Sequence, residues 1–285
     1  MISAIHVNST APFAKRNTGA AYRQEDFEIL YMALSALMWR KKNGPIKLYT
    51  DKTGYDYYDS LGLLDLWDAG VDTSAVAGIS DTINQEIFWA AAKIFALRNE
   101  TTPVAIIDTD MIVWEDLAPE LEEWPFAVFH REELYEFIYL PGHLLKKRAD
   151  YQFDPEWDWT AAACNMAFAY FSDSGFKKYY IDCAIDFMTG NSEYPKEMVS
   201  QMVFAEQRIA AMCAEKMKIP IYHLLNDPFQ LDNSRFSHLW GAKDVARNDL
   251  RQRNVLRTAL LRKLEEHFPS YHAKLKDIAH NPDVS

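Results

Sequence analysis

The chain has 285 residues, 49% of them apolar and 14% aromatic, which is enough to bury a full core in one large α/β domain. Its formal charge of -11 excludes a phosphate-backbone binder, whose affinity would rest on clustered Lys and Arg, so no nucleic-acid partner is expected.

In chain order, "ISAIHV" reads as a short buried strand and "NSTAPF" as turn chemistry. The segment from Glu25 to Lys41 carries apolar residues at helical spacing and closes at "KNGP". "IKLYTD" is a second strand, "YDYYDSLGLLDLW" a helix and return, "ISDTINQEIFWAAAKIFALRN" a long helix, and "PVAIIDTDMIVW" a third strand. This alternation is the signature of a mostly parallel sheet whose central strands are apolar on both faces. "WPFAVFH" and "AAACNMAFAYF" read as further strands, separated by an aromatic, loop-rich stretch over 131–160. Two helices, "SGFKKYYIDCAIDFMTG" and "KEMVSQMVFAEQRIAAMCAEKM", precede a short strand "IPIYHLL". A charged amphipathic helix, "NDLRQRNVLRTALLRKLEEHF", then leads to "HNPDVS", which is expected to fray.

Cys164, Cys183 and Cys213 lack CxxC spacing and fit small buried hydrophobes in a reducing compartment. The first residues include no basic leader, and no uncharged run is long enough to span a bilayer. A cytoplasmic protein without a transmembrane segment is expected, with peripheral membrane contact left open.

The third strand runs into Asp108-Thr109-Asp110, at the carboxyl end where open α/β sheets bind ligands. A buried carboxylate is costly unless paired, and two close together repel until a cation arrives. Mn²⁺ or Mg²⁺ accepts such oxygens and can bridge to a diphosphate. Near the C-terminus, His238, Gly241 and Lys243 form H-x-x-G-x-K: a metal-ligating imidazole, a glycine permitting close backbone approach and a cation able to meet a phosphate. Nucleotide recognition is expected from the ends of the first two strands, through Val7, Asn8 and Ser9 with Tyr49 and Asp51.

The two motifs together resemble the GT-A glycosyltransferases, most closely the glycogenin-related family eight. That resemblance implies a Rossmann-like GT-A sheet flanked by helices, with residues 1–245 as the nucleotide-sugar transferase domain and 246–285 as its C-terminal helical extension. It implies a divalent ion on Asp108, Asp110 and His238, a UDP-sugar donor and Lys243 on the phosphates. It also places Lys93 in "FWAAAKIFAL" against the donor, Asn165 in "CNMAFAYF" on the sugar, and Glu206 with Gln207 in "FAEQRI" under the transferred sugar. Asp244 and Val245 stand where the family carries Pro-Trp, Ala167 stands where it carries glycine, and 131–160 has no counterpart.

Glycosyl transfer passes through an oxocarbenium-like transition state while the diphosphate gathers charge. The resemblance leans to retention, with Glu206, Gln207 or backbone facing the reacting carbon; inversion would need a base, for which Glu206 and Asp158 are candidates. The acceptor, a carbohydrate or other hydroxyl compound, is open, and Trp157 and Trp159 either line its site or pack in the core. Two rivals compete. A haloacid dehalogenase-type phosphatase also uses DxD after an apolar strand, but there the motif normally runs on to Gly-Thr, whereas Met111 and Ile112 follow here. A non-catalytic nucleotide-sugar or carbohydrate-binding protein would keep the fold alone.

Overall fold

The computed structural model describes residues 1–226 and 234–279, so the expected fraying of "HNPDVS" lies outside the described residues. Its strands are β1 (Ala4–Asn8), β2 (Ile46–Thr50), β3 (Val71–Asp72), β4 (Val104–Ile107), β5 (Met111–Val113), β6 (Phe126–Val128), β7 (Arg131–Glu132), β8 (Ala163–Cys164), β9 (Phe168–Phe171), β10 (Ile221–His223) and β11 (Phe236–His238). Its helices are α1 (Ala11–Arg16), α2 (Asp26–Lys42), α3 (Lys52–Ser60), α4 (Ser74–Ala77), α5 (Ala91–Asn99), α6 (Ala118–Leu121), α7 (Ser174–Met188), α8 (Met198–Val203), α9 (Ile209–Met217), α10 (Ala242–Asn248), α11 (Leu250–His267) and α12 (Pro269–Ala279).

The expected mostly parallel, Rossmann-like sheet is present, in the order β10-β6-β9-β4-β1-β2-β3. Every neighbouring pair is parallel except those of β9, which runs antiparallel to both β4 and β6. Side chains alternate across it with period two. Val104 and Ile106 enter one core with α5, α7 and α9, while Ala105 and Ile107 enter the other with α2 and α11. Both faces are therefore dry, which is why β4 is apolar throughout.

The chain runs from β1 through α2 to β2 and β3 on one side, then returns through α5 to β4 on the other side of β1. That reversal opens a crevice at the carboxyl ends of β1 and β4, the usual ligand position in open α/β sheets.

Helix α2 is buried nearly all round, from Phe27 through Trp39, because it lies between the sheet and the C-terminal helices. A reciprocal capping box between Glu25 and Glu28 starts it. Leu260 and Leu264 of α11, with Leu275 and Ala279 of α12, complete the same core. Arg257 Nη1 lies 3.2 Å from Asp26 Oδ2 and Arg253 Nη1 3.0 Å from Glu25 Oε2, so α11 also holds the start of α2. Among the described residues no helix is long and apolar enough to cross a membrane.

Several elements differ from the sequence reading. "NSTAPF" is no simple turn, because α1 starts at Ala11 with Pro12 in its first turn, where a missing N–H is harmless. Of the helix expected over 79–99 only α5 forms; ahead of it the Asn84 side chain accepts the Glu86 N–H, a local bond that competes with helix. The strand expected over 103–114 breaks at Asp108, where Met111 N–H bonds the Asp108 carbonyl at 2.9 Å. Beyond the break, β5 leaves the large sheet and pairs antiparallel with β11. Likewise 161–171 divides into β8 and β9 around Asn165. The helix over 196–217 carries a π-turn at Phe204–Arg208, which contains Glu206 and Gln207. Such single π-turns recur at functional sites.

Candidate metal and nucleotide site

The break after β4 is a polar turn. Asp108 N–H donates to the Ala167 carbonyl at 2.7 Å, tying the turn to the segment just before β9. The β5–β11 ladder sets His238 opposite Met111, and Leu239 N–H donates to the Asp110 carbonyl at 3.0 Å. Two stretches of chain more than a hundred residues apart are thus held in register, and ligand atoms of Asp108, Asp110 and His238 all lie within 4.8 Å of one another.

The donors are two carboxylate oxygens and an imidazole nitrogen. This set fits a divalent ion of the Mn²⁺ class, and the imidazole makes Mg²⁺ the poorer match. Burial lowers the His238 pKa against the opposing pull of Asp110 and Asp108, which keeps the ring in the neutral form that ligates metals. Burial works to raise the pKa of Asp110, but Lys243 and His238 outweigh it and hold the carboxyl below its ordinary value. Lys243 Nζ lies 2.8 Å from Asp110 Oδ2. Gly241, at φ 65°, starts α10 in the left-handed region, and nothing lies within 4 Å of where a Cβ would be. Its requirement within the chain is conformational rather than close packing.

Lys93 projects from α5 between two acids, 2.5 Å from Asp108 Oδ1 and 2.8 Å from Glu206 Oε1. Burial disfavours its charge, but Asp108 and Glu206 reverse that and push the pKa above the ordinary lysine value. For Glu206, burial raises the pKa and Lys93 partly offsets it. Lys93 is thereby placed as a bridge from the turn to Glu206, on the core side of Asp108.

A cleft of about 840 Å³ opens beside the turn, lined by Asn8, Ser9, Thr109, Asp110 and Lys243 among others. Asn8 Nδ2 donates to the hydroxyls of Tyr22 and Tyr58 at 2.9 and 2.6 Å. The other residues expected to meet the nucleotide lie elsewhere. Val7 packs against the core, and Tyr49 is buried with its hydroxyl on Glu100 at 2.6 Å. Asp51 caps α3, accepting from Gly54 N–H at 2.9 Å and from the Thr10 N–H at 2.6 Å.

Asn165 is buried, its Nδ2 donating to Glu132 Oε1 at 2.6 Å and its Oδ1 accepting from Ala167 N–H at 3.1 Å. Gln207 Oε1 lies 2.6 Å from the Tyr139 hydroxyl. Asp158 is exposed in a turn, bonded to Thr160, and is not brought to the cleft. Trp157 is buried and Trp159 stacks on Phe204 with centroids 5.6 Å apart, so both pack in the core.

Several residues of the site carry no sequence motif. Arg247 lines the cleft while paired with Glu28 at 2.6 Å. His6 and Ser35 support the turn from behind: Trp67 Nε1 donates to His6 Nδ1 at 3.3 Å, His6 Nε2 lies 3.1 Å from Ser35 Oγ, and Ser35 donates to the Met111 carbonyl. Glu132 and Tyr139 connect Asn165 with Gln207. A histidine at strand spacing and a helical serine look like ordinary core residues in sequence, and only a three-dimensional path joins them to Met111.

The chain's backbone is similar to mouse xyloside xylosyltransferase 1 in its apo form, with a TM-score of 0.40 and 9% identity over 78% of this chain and 84% of that one. It is similar to the WbbM bifunctional glycosyltransferase at 0.45 and 11%, over 78% of this chain and 38% of that one. A CTP:phosphocholine cytidylyltransferase from Streptococcus pneumoniae gives 0.42 and 11%, over 87% and 97%. At these scores and identities the likenesses assign no residue. Among curated proteins no relative matches. Residues 5–278 match the model described as "Family of unknown function (DUF6734)", and the chain belongs to that family.

Proposed function

We propose that this chain is a metal-dependent glycosyltransferase that moves a sugar from a nucleoside-diphosphate donor, a UDP-sugar, to a hydroxyl acceptor with retention of configuration. The observation that carries the reading is the convergence of Asp108, Asp110 and His238 within 4.8 Å beside a cleft that Lys243 also lines. A pair of carboxylates at a strand end is common; a histidine from β11 and a lysine from the following α10, both delivered to the same turn, are not. Residues 1–245 form the transferase unit in this reading, and the helices of 246–285 extend it. The narrower likeness to family eight rests on His238, Gly241 and Lys243 in H-x-x-G-x-K and stops at Asp244 and Val245.

Asp108, Asp110 and His238 would hold the divalent ion, whose chemistry when bound is to neutralise charge on the diphosphate. The rest falls to the chain's own groups. Lys243 moves from Asp110 to the leaving diphosphate, where its fixed positive charge meets negative charge as it develops. Thr109, Asn8 and Ser9 line the nucleotide's approach, and Gly241 lets the following backbone turn toward the phosphates. Lys93 keeps Asp108 and Glu206 in one orientation. Glu206, Gln207 and Asn165 would face the transferred sugar.

A thermal-shift panel tests the reading. UDP-sugars with Mn²⁺ should raise the melting temperature, and either component alone should do much less. Stabilisation by beryllofluoride with Mg²⁺, and none by UDP-sugar with Mn²⁺, would move the protein to the phosphatases.

A further inference from the structure

The aromatic stretch 131–160 contributes two side chains, Glu132 and Tyr139, to a half-buried network. Glu132 Oε1 accepts from Asn165 Nδ2 at 2.6 Å, and Glu132 Oε2 accepts from the Tyr139 hydroxyl at 2.6 Å. The same hydroxyl lies 2.6 Å from Gln207 Oε1. A phenol has one proton and cannot donate to two oxygens. The carboxylate is the stronger acceptor, so the proton belongs to Glu132. Gln207 must then present its Nε2 to Tyr139, since amide oxygen and nitrogen are interchangeable in shape, and its carbonyl oxygen is turned the other way.

The network reaches the metal-binding turn by two routes. Asn165 leads in two residues to Ala167, whose carbonyl accepts the Asp108 N–H. Gln207 follows Glu206, which Lys93 links to Asp108. We propose that Glu132 is the positioning residue of the sugar end of the site: one carboxylate sets both amides, Asn165 directly and Gln207 through Tyr139. This rests on the glycosyltransferase reading for what the amides face. With both Glu132 oxygens accepting, Asn165 keeps one amide hydrogen free and Gln207 keeps its carbonyl oxygen free. Together they offer one donor and one acceptor, the pair that a sugar hydroxyl satisfies.

The test uses the full chain and two readouts. Side-chain amide signals of Asn165 and Gln207, assigned with Asn165→Ala and Gln207→Ala, should both move in Glu132→Gln. Tyr139→Phe should move the Gln207 pair and leave Asn165 in place, and it keeps the test open should Glu132→Gln fail to fold. Movement of the Asn165 pair alone in Glu132→Gln, or of neither pair, overturns the coupling, as does an unmoved Gln207 pair in Tyr139→Phe. Calorimetry with Mn²⁺ then compares UDP with UDP-glucose, UDP-galactose and UDP-xylose. For the UDP-sugar that wild type holds tighter than UDP, Glu132→Gln should lose about tenfold in affinity while UDP changes less than about twofold. Equal losses for UDP and UDP-sugar would contradict a role at the sugar. Wild-type protein that binds no uridine nucleotide would sink the donor reading, and the amide signals would still decide the positioning claim.

Discussion

Lys243 Nζ lies 2.8 Å from Asp110 Oδ2, so the carboxylate proposed as a metal ligand already has a cationic partner within the chain. A cation must compete with that lysine, and a diphosphate would draw the lysine away. We predict that Lys243→Met has opposite effects on the two ligands. Mn²⁺ measured alone should bind several-fold tighter, because a competing charge is gone, while UDP in saturating Mn²⁺ should bind about tenfold weaker. Manganese titration followed by paramagnetic relaxation reads the first and calorimetry the second. Losses in both would mean that Lys243 supports the fold of the turn rather than the phosphates.

Lys93 carries a different load. Removing it leaves Glu206 buried beside Asp108 with no counter-charge. Lys93→Met should therefore cost about 3 kcal/mol of stability, and Lys93→Met with Glu206→Gln should recover much of it, because a broken buried pair costs more than an absent one. Urea unfolding of the single and double variants checks this. A single variant within about 0.5 kcal/mol of wild type would show that the bridge is a loose surface contact.

Glu206 also makes a kinetic prediction. If it faces the sugar rather than the nucleotide, Glu206→Gln should lower kcat at least tenfold with little change in donor KM. Initial rates of UDP release across donor concentration separate the two, and a raised KM at unchanged kcat would move Glu206 to donor binding.

His6 gives the pH dependence. Burial lowers its pKa to about 3, against a weaker upward pull from Asp110. Because Trp67 donates to Nδ1, the proton sits on Nε2 and points to Ser35, and the ring is held neutral. The folded pKa lies below the unfolded value of 6.5, so between them only the unfolded chain takes up the proton. The stabilisation is complete above about pH 6.5 and is lost as pH falls towards 3, at up to about 1.4 kcal/mol per unit. Urea midpoints at pH 7, 6 and 5 should fall more steeply for wild type than for His6→Asn. Parallel slopes would remove His6 from the account.

What could be read from the sequence follows the range of the forces involved. An apolar run ending in two aspartates declares itself locally, and so does H-x-x-G-x-K, because each motif packs its chemistry into a few residues. The ladder that joins them does not, since β5 and β11 are three residues each and the polar turn masks their period. Strand period says that sides alternate and not which side is wet, so the sequence places Tyr49 at the nucleotide, whereas its ring packs in the core and its hydroxyl meets the half-buried Glu100. Asp51 was expected there too, although "DKTG" equally spells a helix cap, which is its use. Glu132 and Tyr139 stood outside any motif, since their partners Asn165 and Gln207 lie 33 and 68 residues away.

The central claim is that Asp108, Asp110 and His238 share one ion that makes the nucleotide bind. Calorimetry of UDP with and without Mn²⁺, on wild type, Asp108→Asn, Asp110→Asn and His238→Ala, tests it most directly. Wild type should gain about tenfold or more in UDP affinity from Mn²⁺, both aspartate variants should lose that gain with their folds intact, and His238→Ala should lose most of it. A wild-type affinity indifferent to Mn²⁺, or the same gain in all three variants, would contradict the site.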